Sequence, residues 1–495
     1  MNAVTEEQLR DHLFKCADII RDRVDPTDYK TYILPIVFYK AIDDTYQDRF
    51  DEALEETGDE ELARDEAFHD FQIPEEYRFE KAMNKEEKVD QFLNEAFDAL
   101  EAENPEKLEN IFRVNFVNAD GIDHDTLHKM LQHLGAEGKN LSLERVRPDI
   151  LGEAYMDLVR DFATKEGKDG GQYFTPQEMV QLMVKVLDPK NGDDTIKMYD
   201  PTVGSAGMLV EMAEQYREIG DPKKDLLLKG QEINPGIAPI ARMNLFLHDL
   251  DGEITREDSL ANPQFLEDGK LEKFDYVLAN PPFSADWQKD ACKDDQYGRF
   301  DWGMARADRA DYAFIQHMIA SLNEQGEMAC VIPHGVLFRK HESKFREPML
   351  ENDMVEAVIG LPENLFQNNS IPSAILIVNK DKPEEREGRV QFIHAADENF
   401  YEELSNQNKL TKDGIKEIVE KYRNWETEER VSRVVDLEEI QENDYNLNIA
   451  LYVDTTEPEE NIEVSEELEK LHELQEEREE IENQMTEHME ALNYE

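Results

Sequence analysis

The sequence predicts a doubly wound, Rossmann-like α/β domain, preceded by an all-helical N-terminal domain and followed by a C-terminal helical tail. Three observations predict it. Between residues 146 and 425, helical runs alternate with strand candidates at 195–200, 226–232, 253–258, 274–280, 326–333, 355–361 and 373–379, the alternation that builds a sheet covered on both faces. Residues 1–145 are helix-patterned and contain no strand-rich block. Asp200, Glu232, Asp258 and Asn280 all fall at the carboxyl ends of strand candidates, where such sheets bind their ligands. The expected domains are therefore 1–145, helical; 146–425, α/β catalytic; 426–462, a connector; and 463–495, a partner-binding helix.

Ahead of the first strand, Gly170-Gly171-Gln172-Tyr173-Phe174-Thr175-Pro176-Gln177-Glu178 leads into an apolar-periodic run from Met179 to Leu187. Thr175 stands where an N-cap belongs, Pro176 at the first helical position, and Glu178 where it completes a capping box. A well-capped helix accounts for all of this. A second reading has the helix N-terminus receive a ligand carboxylate on its free N–H groups.

The first strand, Thr195-Ile196-Lys197-Met198-Tyr199, runs into Asp200-Pro201-Thr202-Val203-Gly204-Ser205-Ala206-Gly207 and then the helix-like Met208 to Met212. Strand, small-residue turn and helix let backbone amides approach a ligand closely. Asp200 suits a ligand ammonium, whereas a phosphate loop would avoid an acid. The second strand, Leu226 to Glu232, ends in a carboxylate about 25 residues past the glycine turn, close to the spacing that sets an acid on a ribose diol. The third run, Glu253 to Asp258, ends in an acid able to accept from an adenine amine. Taken singly, each acid also reads as a solvated loop residue. Their repeated placement at strand ends favours a nucleoside pocket.

The fourth strand, Phe274 to Ala279, stops in Asn280-Pro281-Pro282-Phe283. Neither proline donates an N–H and each biases its predecessor to extended geometry, so the Pro281 carbonyl is left free. With the Asn280 carboxamide it offers two oxygen acceptors to one planar amine, whose lone pair then turns toward an electrophile. Phe283 supplies a face for a nucleobase. The tetrapeptide alone also fits a proline-rich turn after a core strand. Beyond it, residues 283–309 form a polar insertion with Arg299, Arg306 and Arg309, read either as a cover for extruded DNA or as a solvated loop.

The order of Gly-Gln-Tyr-Phe-Thr-Pro, Asp-Pro-Thr-Val-Gly-Ser-Ala-Gly, Gly-Gln-Glu-Ile-Asn-Pro and Asn-Pro-Pro-Phe resembles the modification subunit of type I restriction-modification systems, an S-adenosylmethionine-dependent N6-adenine DNA methyltransferase. Leu9 to Asp44, Ala310 to Phe314, Gly326 to Phe338 and Asn369 to Ser373 resemble further segments of that family, so the likeness covers most of the chain. Ala206 departs from it, since the family usually has glycine there. The resemblance implies that Gln172 to Gln177, Ser205 to Gly207 and Glu232 contact the methyl donor and that Asn280 to Phe283 hold the adenine. It also implies partners: double-stranded DNA, a specificity subunit, a restriction/translocase subunit and a second copy of the chain. No segment reads as a DNA target-recognition domain, so sequence choice is expected from another chain. Other readings keep the pocket but change the acceptor to cytosine N4, RNA or a protein glutamine, or make the chain a donor-binding scaffold without turnover.

The tail carries Leu468, Leu471, Leu474, Ile481, Met485 and Leu492 at mostly three- and four-residue steps after a capping Ser465, a narrow stripe suited to a partner helix or to packing on the chain's own domain. Cys16, Cys292 and Cys330 lack metal-ligand spacing, so neither zinc nor disulfides are expected. No signal peptide or membrane-length apolar stretch is visible.

With 54 basic and 114 acidic residues the net charge is −60, the wrong sign for binding DNA in dilute buffer. Intrinsic disorder is excluded by the well-formed apolar strands between residues 195 and 380. In molar salt the Debye length shrinks to about 3 Å, and an acidic, ion-hydrated surface favours solubility. The composition therefore predicts a cytoplasmic protein of an extreme halophile. Circular dichroism and activity across a KCl series test this: both are expected to require molar salt, and a folded, active protein in dilute buffer would contradict it.

Overall fold

A computed structural model describes residues 6–119, 121–136, 138–165, 175–190, 195–366, 371–397, 399–404 and 407–454, and six residues between 474 and 485. The chain divides into two compact units, Met1–Val453 and Asp454–Glu495.

The first unit begins with α1 (Glu6–Ile20), α2 (Tyr29–Thr57), α3 (Val89–Glu103), α4 (His124–Leu134) and α5 (Pro148–Lys165). Apolar residues at helical spacing, such as Ile33, Val37, Leu93, Phe97, Leu127 and Leu131, are all but fully buried in one core. Each such side chain contributes roughly 1.5–3 kcal/mol. The Asp123 carboxylate caps α4, accepting from the Thr126 N–H at 2.8 Å.

Four sheet strands and three helices alternate next: α6 (Gln177–Leu187), β1 (Ile196–Asp200), α7 (Gly207–Tyr216), β2 (Leu226–Gln231), α8 (Ala238–Leu247), β3 (Gly252–Thr255) and β4 (Phe274–Ala279). There follow α9 (Asp311–Ser321), β5 (Leu322–Pro333), α10 (Ser343–Glu351), β6 (Val355–Gly360), β7 (Ser373–Asn379), β8 (Arg389–His394), α11 (Lys412–Asn424) and β9 (Ser432–Asp436). The nine strands form one sheet in the order β9-β8-β6-β7-β5-β4-β1-β2-β3. β1, β2, β3, β4 and β5 pair in parallel, while β7 runs antiparallel to both β5 and β6, and β9 antiparallel to β8. The order reverses between β1 and β4, so their following loops diverge and leave a crevice at the carboxyl edge.

All seven strand candidates form. The two further strands, β8 and β9, escape sequence reading because polar residues interrupt them. Gln391, in the middle of β8, is fully buried, its amide donating to the Lys421 and Glu426 carbonyls. β9 lies beyond residue 425, in the stretch read as connector. One face of the sheet packs against α6, α7 and α11 and the other against α9 and α10. Helix α8 serves two cores: Ala241 and Leu245 face the sheet, while Ile240, Met243 and Leu247 complete the N-terminal helical core. The helical region is thereby fastened to the catalytic sheet.

Cys16, Cys292 and Cys330 are free and buried, Cys330 within β5. Among the described residues no helix is long and apolar enough to cross a membrane. In the second unit the described residues are helical, with Leu474, Ile481 and Met485 each more than half exposed; the rest of the tail stripe lies outside the described residues, as do Asn369 and Ser370.

Helix α5 approaches α8 through Gly152. A β-carbon there would lie 2.1 Å from the His248 ring, which is buried and bonded through Nδ1 to the Asn244 carbonyl at 2.9 Å. Gly152→Ala gains helix propensity but overpacks this contact, for an expected net loss of roughly 1–2 kcal/mol. The urea midpoint in molar KCl should fall at constant slope; an unchanged midpoint would contradict the close approach.

Candidate active site

The crevice between β1 and β4 opens into a cavity of about 580 Å³, lined by residues that follow four strands. Asp200, at the end of β1, is buried, and its Oδ1 accepts from the Thr202 N–H at 2.9 Å. The turn after it lies against β2. The Val203 N–H donates to the Gln231 carbonyl at 3.1 Å, and a β-carbon on Gly230 would meet the Val203 side chain at 2.7 Å. Glycine at position 230 is what lets the turn sit this low. Gly204 has φ +52, and its N–H donates to Glu232 Oε2 at 3.0 Å. Glu232 Oε1 accepts from the Asn234 N–H at 2.7 Å, so the carboxylate is fixed by backbone donors and each oxygen keeps accepting capacity. The Ser205 carbonyl accepts from the Asn244 amide at 2.8 Å. Asp258, in the loop after β3, accepts from the Leu260 and Ala261 N–H groups and from the Gln288 amide at 3.2 Å.

Asn280 follows β4. Its Nδ2 donates to Thr175 Oγ1 at 3.0 Å, while its Oδ1 is buried and has no partner among the described residues. No hydrogen bond among the described residues ends on the Pro281 carbonyl. Thr175, Asp200, Gly204, Ser205, Gly207, Glu232, Asp258, Asn280 and Pro282 all line the cavity. Pro281 and Phe283 do not. Phe283 stands edge-on to Phe366, with ring centroids 5.6 Å apart.

The capping box expected at Thr175 changes. Helix α6 begins at Gln177 with Pro176 as its N-cap and no side-chain cap; the Thr175 hydroxyl is taken by Asn280 and Glu178 is paired with Lys409 at 3.0 Å. The capping box therefore does not form. Gln177 turns to Glu153 on α5 at 3.4 Å, and neither it nor Pro176 lines the cavity. Ala206 is also off the cavity wall, buried at φ +66 as N-cap of α7, a left-handed conformation that favours glycine. In the insertion, Arg299 is 4% exposed and held by Asp295 and the Ser259 carbonyl, and Arg306 pairs with Asp308. Gln172, Tyr173 and Phe174 lie outside the described residues. Sequence reasoning missed the apolar wall of Val203, Ile233, Leu260 and Phe314, and the contribution of Ala285 to Gln288. The signal at Ile233 was an isoleucine directly after a strand-end acid, 62% exposed in the fold.

The electrostatics limit what can bind. Among the described lining residues are Asp200, Glu232, Asp258 and Asp286, without a lysine or arginine. Burial, reinforced by the Glu232 charge, pushes Asp200 up to about 8, and burial also raises Glu232. Such a pocket repels phosphate and welcomes a cationic ligand with hydroxyl donors and an apolar ring. S-adenosylmethionine has these features, and the residues present fit it.

The N-6 DNA Methylase family model matches residues 146–461, and that of the HsdM N-terminal domain residues 9–134. The MjaVII methylase subunit of a type I restriction enzyme from Methanocaldococcus jannaschii is 33% identical over 99% of this chain and 85% of its own. The HindI methylase subunit from Haemophilus influenzae is 30% identical over 75% of this chain and 84% of its own. The crystal structure of a type I restriction-modification methyltransferase subunit from Streptococcus thermophilus superposes with a TM-score of 0.77 at 29% identity, covering 91% of this chain and all of that one. With the site at the sheet's switch point and these matches over nearly its whole length, the chain belongs to the family of methylase (M) subunits of type I restriction-modification systems.

Proposed function

We propose that this chain transfers a methyl group from S-adenosylmethionine to the N6 amine of an adenine in duplex DNA, at a site chosen by a partner specificity subunit. The observation that carries the reading is the buried Oδ1 of Asn280, without a partner among the described residues, followed in sequence by Pro281, whose carbonyl accepts no hydrogen bond among them. Two neighbouring acceptors match the two hydrogens of a primary amine. Engaging both directs the nitrogen lone pair at the electrophile and replaces bimolecular encounter with fixed geometry. The hydrogen bond from Nδ2 to the Thr175 hydroxyl anchors the Asn280 side chain.

An adenine amine inside a duplex is stacked and paired, so the base must swing out to reach Asn280. Phe283 offers it a stacking face. On the donor side, Asp200 is suited to the ammonium, Glu232 to the ribose hydroxyls and Asp258 to the adenine amine. S-adenosylmethionine supplies an electrophilic methyl group when bound. Asn280 and Pro281 hold the amine while it attacks, and the alkylated nitrogen releases its surplus proton to water. The exposed Leu474, Ile481 and Met485 of the tail support docking on a specificity subunit, within an assembly that also takes a restriction subunit and a second copy of this chain. The net charge of −60 supports a cytoplasm of molar salt.

Asn280→Ala is expected to lower methyl transfer by at least about a hundred- to a thousandfold with donor affinity nearly unchanged in calorimetry. Loss of donor binding would make Asn280 structural. Asp200 gives a pH signature. Its carboxyl, at about 8 in the fold against 3.8 ordinarily, is protonated in the ligand-free protein near neutrality and must ionise to face an ammonium. Donor affinity should therefore climb with pH, by up to about tenfold per unit, and level off above about 8. Stability should move oppositely, because between 3.8 and about 8 the folded chain holds a proton that the unfolded chain has lost. Asp200→Asn should flatten the affinity profile; a wild-type affinity independent of pH would contradict this role.

A further inference from the structure

A second cavity, of about 450 Å³, lies on the same edge of the sheet, between the N-terminal helical region and the end of β3. Its walls include Arg113 from the helical region, Arg242 from α8 and Arg256 from the loop after β3, with Glu109 the one acid among the described lining residues. The contrast with the donor cavity, which has four acids and no base, is a reversal of sign within one domain. It also runs against a chain in which acids outnumber bases by 114 to 54.

Among the described residues none of these three arginines has a carboxylate within ion-pair distance. Arg242 is half-buried and spends its guanidinium on backbone: Nε and Nη2 donate to the Ile254 carbonyl at 2.9 and 2.8 Å, and Nη1 to the Glu109 carbonyl at 2.5 Å. Among the described residues Arg113 donates to the Asn110 carbonyl alone, at 3.2 Å. Carbonyls orient a guanidinium without cancelling its charge; burial and the nearby Arg113 charge disfavour the charged form of Arg242, and the Glu109 and Glu101 charges offset this in part. Elsewhere in this acidic protein carboxylates are in abundant supply, as at Arg49, Arg78, Arg145 and Arg299. The groove also ends on the first turn of α8, through Ala238 and Pro239, whose dipole adds positive potential. A shallower groove of about 280 Å³ shares Arg113, Pro235 and Pro239 and continues the surface to Lys30.

We propose that this arginine groove binds the phosphodiester backbone of the DNA substrate, as a second contact separate from the base and donor pockets. The inference rests on the methyltransferase reading. Guanidinium forks match phosphate oxygens, and their spread over both structural regions lets one stretch of backbone bridge them. Arg242 is half-buried while Arg113 and Arg256 are exposed, so in concentrated salt the Arg242 contact is screened least. Such contacts position the duplex and carry no sequence information.

The test uses the full chain with its specificity subunit, comparing wild type with Arg113→Gln, Arg256→Gln and the double variant; Arg242, which ties two segments together, is left intact. Fluorescence anisotropy across a KCl series should show each substitution weakening duplex binding roughly two- to fivefold, equally for cognate and unrelated sequences, and reducing the salt slope by about 1. Donor affinity and single-turnover rate at saturating DNA should not change. Unaltered DNA affinity and slope would overturn the proposal. So would an arginine-dependent affinity for inorganic phosphate with DNA binding unaffected, which would mark a small-anion site. Failure of the wild-type complex to bind or methylate DNA at all would instead bring down the functional reading beneath it.

Discussion

A buried amide oxygen without a donor costs about 1–3 kcal/mol, and this protein keeps one where two strand-end loops part. Asn280 Nδ2 donates to the Thr175 hydroxyl while Oδ1 has no partner among the described residues. A donating ligand amine would remove that cost. Everything around it serves that placement. The parallel register of β1 and β4 sets Asp200 and Asn280 at one edge, and Gly230 lets the turn after β1 settle onto β2. Thr175 stands just ahead of helix α6, before its N-cap Pro176.

Much of this was legible in the sequence because it rests on strand periodicity and on residues at strand ends. β6 and β7 are buried at every position, and Ala357 to Ile359 and Ala374 to Val378 within them read as apolar runs. The acids at 200, 232 and 258 could be placed once the strands were placed. What was not legible depended on distant partners. Thr175 has every local feature of an N-cap, yet Asn280, 105 residues away, claims its hydroxyl. Arg299 reads as a free cation until the fold closes it against Asp295 and the Ser259 carbonyl. β8 and β9 carry polar residues whose burial only the tertiary structure explains, and Ala206 adopts a backbone conformation its identity argues against.

The distribution of charge gives the molecule its second theme. A surface so acidic opposes nucleic acid at low ionic strength, and long-range steering is lost in concentrated salt. Short-range contacts in recesses then matter most: acids line one cavity, and three arginines with a single acid, Glu109, line the other among the described residues. Helix α8 joins these regions mechanically, since it packs on the sheet, completes the helical core and supplies Arg242.

The central claim is that Asn280 and Pro281 present an exocyclic adenine amine to the methyl donor. Its most direct test is transfer of a tritiated methyl group to duplex DNA in molar KCl, with and without the specificity subunit, followed by nucleoside analysis. The account predicts N6-methyladenine as the labelled product, formed only when the partner is present. Label in a different base or in protein, or transfer by this chain alone, would contradict it.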